Sequence, residues 1–212
     1  MLTVHHLGVS QSDRIVWLCE ELEIPYELVR YDREPITRLA PAAYKALHPS
    51  QTAPVITDGD VTLAESGAIV DYILAKYGDG RLAVGPESPN YADYLYWLHY
   101  ANGSMMPAGM TDLVLRVIGM ADNPAAAPLR ARGDRAFDLV EARLGKAPYF
   151  AGEAFTAADI MMLFPLTTGR VFIPRDLAPY PNIRAYLKRI GERPAFQRAA
   201  KKGDPDLTPL LS

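Results

Sequence analysis

The chain has 212 residues, 49 % of them hydrophobic and 22 % charged, enough for one large globular domain or two small ones. Its formal net charge of −3 argues against nucleic acid as a main partner, because neutralising phosphates requires a basic face. No segment approaches the roughly 18 consecutive apolar residues of a membrane span, and the single cysteine, Cys19, excludes an intrachain disulfide framework and a cysteine-based metal site.

The opening MLTVHHLGV has no basic segment ahead of an apolar run, so it predicts no secretory signal and a cytoplasmic chain. Leu2 to Leu7 suits a short strand, and Gly8 to Ser12 a loop. Ile15, Leu18, Cys19 and Leu22 then share one helical face, and Pro25 ends that helix. Tyr26 to Tyr31 alternates as a second strand, and Thr37 to Leu47 is a weaker helix bounded by Pro49. Strands at Pro54–Thr57 and Val61–Leu63 flank Asp58-Gly59, a hairpin signal, before a helix over 66–77. The order βαβαββα predicts an α/β domain over residues 1–79.

Gly78 to Asn90 is rich in Gly, Pro, Asp and Ser, and a linker is placed at 80–90. Residues 91–212 show no strand pattern and predict an all-α domain. Tyr91, Tyr94, Leu95, Leu98 and Asn102 recur at helical spacing, with Pro107 expected to kink or end that helix. A second helix carries Leu129, Ala136, Phe137, Val140 and Leu144. A third starts at Thr156, with Asp159 completing a capping box and Phe155 poised to staple onto Ile160. A fourth carries Ile183, Tyr186, Leu187 and Ile190.

Several chemistry-bearing side chains have plain structural readings. Ser10 and Ser12 suit helix capping, Ser10 having capping-box spacing to Asp13, and Ser66 suits a cap on the helix that it opens. His5 and His6 lack partners at metal-ligand spacing. Cys19 lies on an apolar face, as a core residue does. Met105, Met106 and Met110 fit either packing or an adaptable apolar pocket.

Four segments in order resemble the cytosolic glutathione transferases, bacterial members included. They are LGVSQSDRIVWLCEELEIPYELV (7–29), HPSQTAPVITDGDVTLAESGAIVDYIL (48–74), YWLHYANGSMMP (96–107), and FTAADI (155–160) taken with YPNIRAYLKRIGERPAFQRA (180–199). The resemblance implies a thioredoxin-like first domain that binds glutathione and a helical-bundle domain that supplies an electrophile pocket.

It also implies roles. Glutathione is a co-substrate, with no further cofactor and no metal, and its thiol must ionise to attack a small hydrophobic electrophile. Lowering a thiol pKa from about 8.5 by about two units stabilises the thiolate by roughly 2.7 kcal/mol. A helix N-terminus and one hydroxyl can supply energy of that order. By resemblance the hydroxyl belongs to Ser10 first and Ser12 second, ahead of Arg14. Pro54 corresponds to a cis-proline preceded by Ala53, whose backbone meets the cysteinyl part. Glu65 takes the γ-glutamyl ammonium and Ser66 its carboxylate. Where relatives often carry a cationic pair for the glycyl carboxylate, this chain has Gln51-Thr52, leaving Gln51, Lys45 or Arg38 as substitutes, with His48 facing that end as a further option. Asn102 is expected to reach glutathione across a homodimer, and Met105, Met106 and Met110 to line the electrophile pocket. Expected chemistry is detoxifying conjugation or hydroperoxide reduction. A lyase, isomerase or dehalogenase fits the same fold, as does a non-catalytic protein that binds glutathione or a hydrophobic ligand.

Overall fold

The structure, a computed structural model, describes residues 1–212. The chain divides into two compact units, Met1–Ala83 with Gly191–Pro209, and Val84–Ile190 with Leu210–Ser212.

The first unit contains β1 (Leu2–Leu7), α1 (Asp13–Leu22), β2 (Glu27–Tyr31), α2 (Ala42–Lys45), β3 (Val55–Asp58), β4 (Val61–Ala64) and α3 (Ser66–Tyr77). Near the end of the chain it adds α9 (Pro194–Gly203). The sheet order is β2-β1-β3-β4, with β1 and β2 parallel and the other pairs antiparallel. This is the expected thioredoxin-like arrangement. Asp58 pairs with Val61, so Gly59 and Asp60 make the hairpin loop, and Gly59 adopts φ +60°, which a glycine does without strain.

Helix α1 is the buried spine of this unit, solvent-shielded from Arg14 through Glu20. It packs on α3 and on α9, where Trp17 meets Phe196 edge-on at 5.5 Å. Ion pairs clamp α9 to it. Arg193 Nε donates to Glu21 Oε1 at 2.7 Å and Arg198 Nε to Glu20 Oε2 at 2.9 Å, and Lys202 also pairs with Glu20. The expected boundary at residue 80 therefore describes only the N-terminal part of this unit. Residues 191–209, assigned from the sequence to the helical domain, fold with the sheet.

Helix 37–47 is shorter than expected. Only Ala42–Lys45 is helical, because Pro41 disfavours the α conformation at the residue before it and stands extended, at ψ 161°, as the helix begins.

The second unit contains α4 (Tyr91–Tyr100), a π turn at Ala101–Met105, α5 (Met106–Val117), α6 (Ala127–Leu144), α7 (Ala157–Leu166) and all but the last residue of α8 (Pro181–Gly191). Pro107 does not end the helical path. The turn widens before it, and Pro107 enters the first turn of α5, where a missing N–H costs least. Helix α7 is apolar nearly all round and central, its start fixed by the expected capping box. Asp159 Oδ2 accepts the Thr156 N–H at 2.9 Å, and Oδ1 accepts the Phe150 N–H at 3.0 Å. Phe155, the expected staple residue, lies edge-on to Tyr149.

Candidate functional site

Three loops meet at one end of the sheet. The register pairs His5 with Val55 and Val55 with Ala64. The segment after β1 (Gly8–Ser12), the residues before β3 (Ala53, Pro54) and those after β4 (Glu65, Ser66) therefore project from the same end. Leu7, Val55 and Ala64 share one apolar cluster with Tyr44, and Ala53 packs against it. The Ala53–Pro54 peptide is cis, as expected.

The two serines do not cap α1. Ser12 occupies the N-cap position without a side-chain capping bond, and the Asp13 amide bonds to the Ser10 carbonyl instead. Both hydroxyls turn toward β1. Ser10 Oγ donates to the Leu7 carbonyl at 2.6 Å and lies 2.8 Å from Ser12 Oγ. Ser12 Oγ accepts the Leu7 N–H at 3.1 Å and lies 2.9 Å from His6 Nδ1. Ser12 is fully buried, whereas Ser10 keeps 4 % of its surface.

The loop is held in an unfavourable shape. Val9, a β-branched residue, sits at φ +52°. Asp204 accepts the Val9 N–H at 3.0 Å, while Arg33 donates from Nε to the Gly8 carbonyl at 2.9 Å and from Nη2 to the Val9 carbonyl at 3.0 Å. Glu65, at φ +74° and ψ +118°, is a second side chain in a costly backbone region. It is exposed and makes no capping bond.

Ser66 is not a cap either. It is the first helical residue of α3, 2 % exposed, and its Oγ accepts from Arg14 Nη1 at 3.4 Å. The same Arg14 nitrogen donates to Gln11 Oε1 at 2.7 Å. Burial lowers the Arg14 pKa to about 10, with Asp13 opposing, so a cation lies beneath the start of α3 at neutral pH. Arg14, Arg33 and Asp204 are the site residues that the sequence reading did not assign. The usable signal for Arg14 was an arginine within the apolar run of α1.

Gln51 and Thr52 are exposed beside Ala53, with Gln51 at φ +55°. Arg38 is exposed, and Lys45 is half-buried at the end of α2. His48 Nδ1 is taken by Ser50, whose Oγ lies 2.9 Å away and whose N–H donates at 3.1 Å. Cys19 is a core residue, its thiol pushed up to about 12 by burial and by Glu20.

Asn102 and the methionines belong to the second unit. Asn102 is half-buried in the π turn. Met105, at 3 % exposure, serves the core of that unit, Met106 is half-buried, and Met110 is 52 % exposed.

Comparison with known proteins covers both halves of the chain. The family model for the glutathione S-transferase N-terminal domain matches residues 10–76, and that for the C-terminal domain matches residues 105–194. Glutathione S-transferase 3 of Schizosaccharomyces pombe is 33 % identical over an alignment covering 100 % of this chain and 92 % of that protein. Glutathione S-transferase GstB of Escherichia coli is 30 % identical over 87 % of this chain and 90 % of its own. The crystal structure of a glutathione S-transferase from Actinobacillus pleuropneumoniae superimposes with a TM-score of 0.88 at 38 % identity, covering 96 % of this chain and 93 % of that one. With both family domains matched in order and relatives aligned over most of their length, the chain belongs to the glutathione S-transferase family.

Proposed function

We propose that the chain is a glutathione transferase in which the sheet end of the first unit binds glutathione and Ser10 serves its thiolate. The observation that carries this reading is the meeting of the Gly8–Ser12 loop, Ala53-Pro54 and Glu65-Ser66 at one end of the sheet, with Arg14 reaching Ser66. The γ-glutamyl carboxylate takes the first-turn amides of α3 and the Ser66 hydroxyl. Because that oxygen accepts from Arg14, its proton is free to donate outward. Glu65, exposed and without a capping bond, faces the ammonium. The Ala53 backbone meets the cysteinyl part, which leaves the sulfur beside the loop that opens α1. There Ser10 turns its hydroxyl from the Leu7 carbonyl to the sulfur, and the N-terminus of α1 adds its dipole. The Gln51 side chain meets the glycyl carboxylate.

Two measurements test this. Glutathione conjugation or hydroperoxide reduction should appear across a panel of electrophiles and peroxides. Glu65→Gln, which keeps shape and removes charge, should weaken glutathione binding about ten- to a hundredfold by calorimetry. Binding unchanged in the variant would place glutathione elsewhere. Tight binding with no turnover on any substrate would favour a non-catalytic binding protein.

A further inference from the structure

A line of polar groups runs from the end of α9 to the Gly8–Ser12 loop. Asp204 Oδ2 lies 3.3 Å from His6 Nε2, His6 Nδ1 lies 2.9 Å from Ser12 Oγ, and Ser12 Oγ lies 2.8 Å from Ser10 Oγ. His6 and Ser12 are fully buried, and Asp204 keeps 9 % of its surface. Gly203 permits the approach of α9, since a Cβ there would stand 3.2 Å from His6 Nε2. Stability alone gives little reason for such an arrangement, because buried charged pairs are often replaced by apolar side chains at no loss.

The charge on Asp204 follows from its partners. Burial pushes the Asp204 carboxyl up, but His6, the Val9 amide and Arg30 together bring it below the usual carboxylate range. It is therefore an anion that only accepts, and His6 Nε2 stands 3.3 Å from it, within ion-pair reach but without a hydrogen bond. His6 Nδ1, 2.9 Å from Ser12 Oγ, is the ring nitrogen that can exchange a proton with the Ser12 hydroxyl. The other charges around this line are Arg30, with Nη2 3.8 Å from Asp204 Oδ1, and Arg33, held on the Gly8 and Val9 carbonyls.

We propose that His6 is the proton acceptor for the glutathione thiol, reached through Ser10 and Ser12 and stabilised as an imidazolium by Asp204. The proposal rests on the reading that the glutathione sulfur sits at Ser10. With the thiol bound, Ser10 first turns its hydroxyl from the Leu7 carbonyl to Ser12 Oγ, 2.8 Å away. As the S–H bond breaks, its proton passes to Ser10 Oγ, the Ser10 proton passes to Ser12 Oγ, and the Ser12 proton bonds to His6 Nδ1. Each serine loses one proton and gains one, and no electrons change hands. The exchange reverses the line: His6 now donates to Ser12, Ser12 to Ser10, and Ser10 to the thiolate. After the thiolate has reacted, the proton returns by the same route to water or to the leaving anion. The logic is that of a histidine held by a carboxylate behind a serine, extended by one hydroxyl.

A proton inventory on the wild-type enzyme tests this. Ultraviolet difference spectra count the thiolate formed as glutathione binds, and calorimetry in two buffers of unlike ionisation enthalpy counts the protons released. Retention predicts thiolate formation with fewer than half a proton released per thiolate. Nitrogen-15 spectra of the wild-type imidazoles should show His6 becoming doubly protonated. One proton released per thiolate, or an unchanged His6 signal, overturns the relay and leaves the Ser10 reading standing. Absence of any thiolate on the bound enzyme overturns both.

Discussion

At Ser12 local pattern and tertiary structure diverge. The sequence suits a helix cap, yet its hydroxyl serves the Leu7 amide, His6 and Ser10. Ser12→Ala leaves a buried N–H without its acceptor, so it should cost about 1–3 kcal/mol by urea unfolding rather than the ~1 kcal/mol of a lost cap. A loss below about 0.5 kcal/mol would show that water or a shifted backbone replaces the hydroxyl. Ala53-Pro54 just before one strand and Glu65-Ser66 just after the next were legible through the family resemblance, because their spacing along the chain carries the match, whereas locally they suited a trans turn and a helix cap. Asp204 was illegible because its partner Val9 lies 195 residues away. Arg33 was missed for a related reason, as its acceptors are main-chain carbonyls that carry no side-chain signature.

Among elements, those with a strong period or turn signal were legible. Strand β1 and helix α3 match their expected bounds, whereas α5 went unassigned. Its Met110, Val114 and Val117 remain exposed, as does Ile118 just beyond its end, so its apolar residues do not mark a buried face. Helix α9 was seen only as part of a closing helical segment, because its place against α1 depends on paired charges far apart in sequence. The hairpin and α3 are joined by another charged group. Asp58 Oδ2 accepts from Lys76 Nζ and from the Tyr77 hydroxyl, both at 2.5 Å, and from Tyr72 at 2.9 Å. Lys76 and Tyr77, against some opposition from burial and with help from Tyr72, lower the Asp58 carboxyl to about 2. A depressed acid stabilises the fold above its unfolded pKa of about 4, and that contribution is lost as pH falls through 2. Asp58→Asn should therefore be less stable than wild type at neutral pH, with the gap narrowing between about pH 4 and 2. Chemical unfolding across that range checks it, and a gap constant with pH would contradict the assignment.

For the whole molecule, order along the chain was legible and the division between units was not, since a C-terminal helix returns to the N-terminal sheet. The homodimer expected from the family resemblance belongs to this scale, where α5 leaves Met110, Val114 and Val117 exposed and α4 leaves Tyr96 half-exposed. Sedimentation should show a dimer at micromolar concentration, and a monomer would remove the cross-subunit role expected of Asn102. The central claim concerns the thiol at Ser10. Titrating enzyme-bound glutathione by its ultraviolet thiolate band, in wild type and in Ser10→Ala, tests it most directly. The account predicts a higher bound-thiol pKa in the variant, turnover lower by about ten- to a hundredfold at neutral pH, and a nearly unchanged glutathione dissociation constant. An identical thiol pKa in the two proteins would contradict it and assign activation to the main-chain amides and dipole of α1.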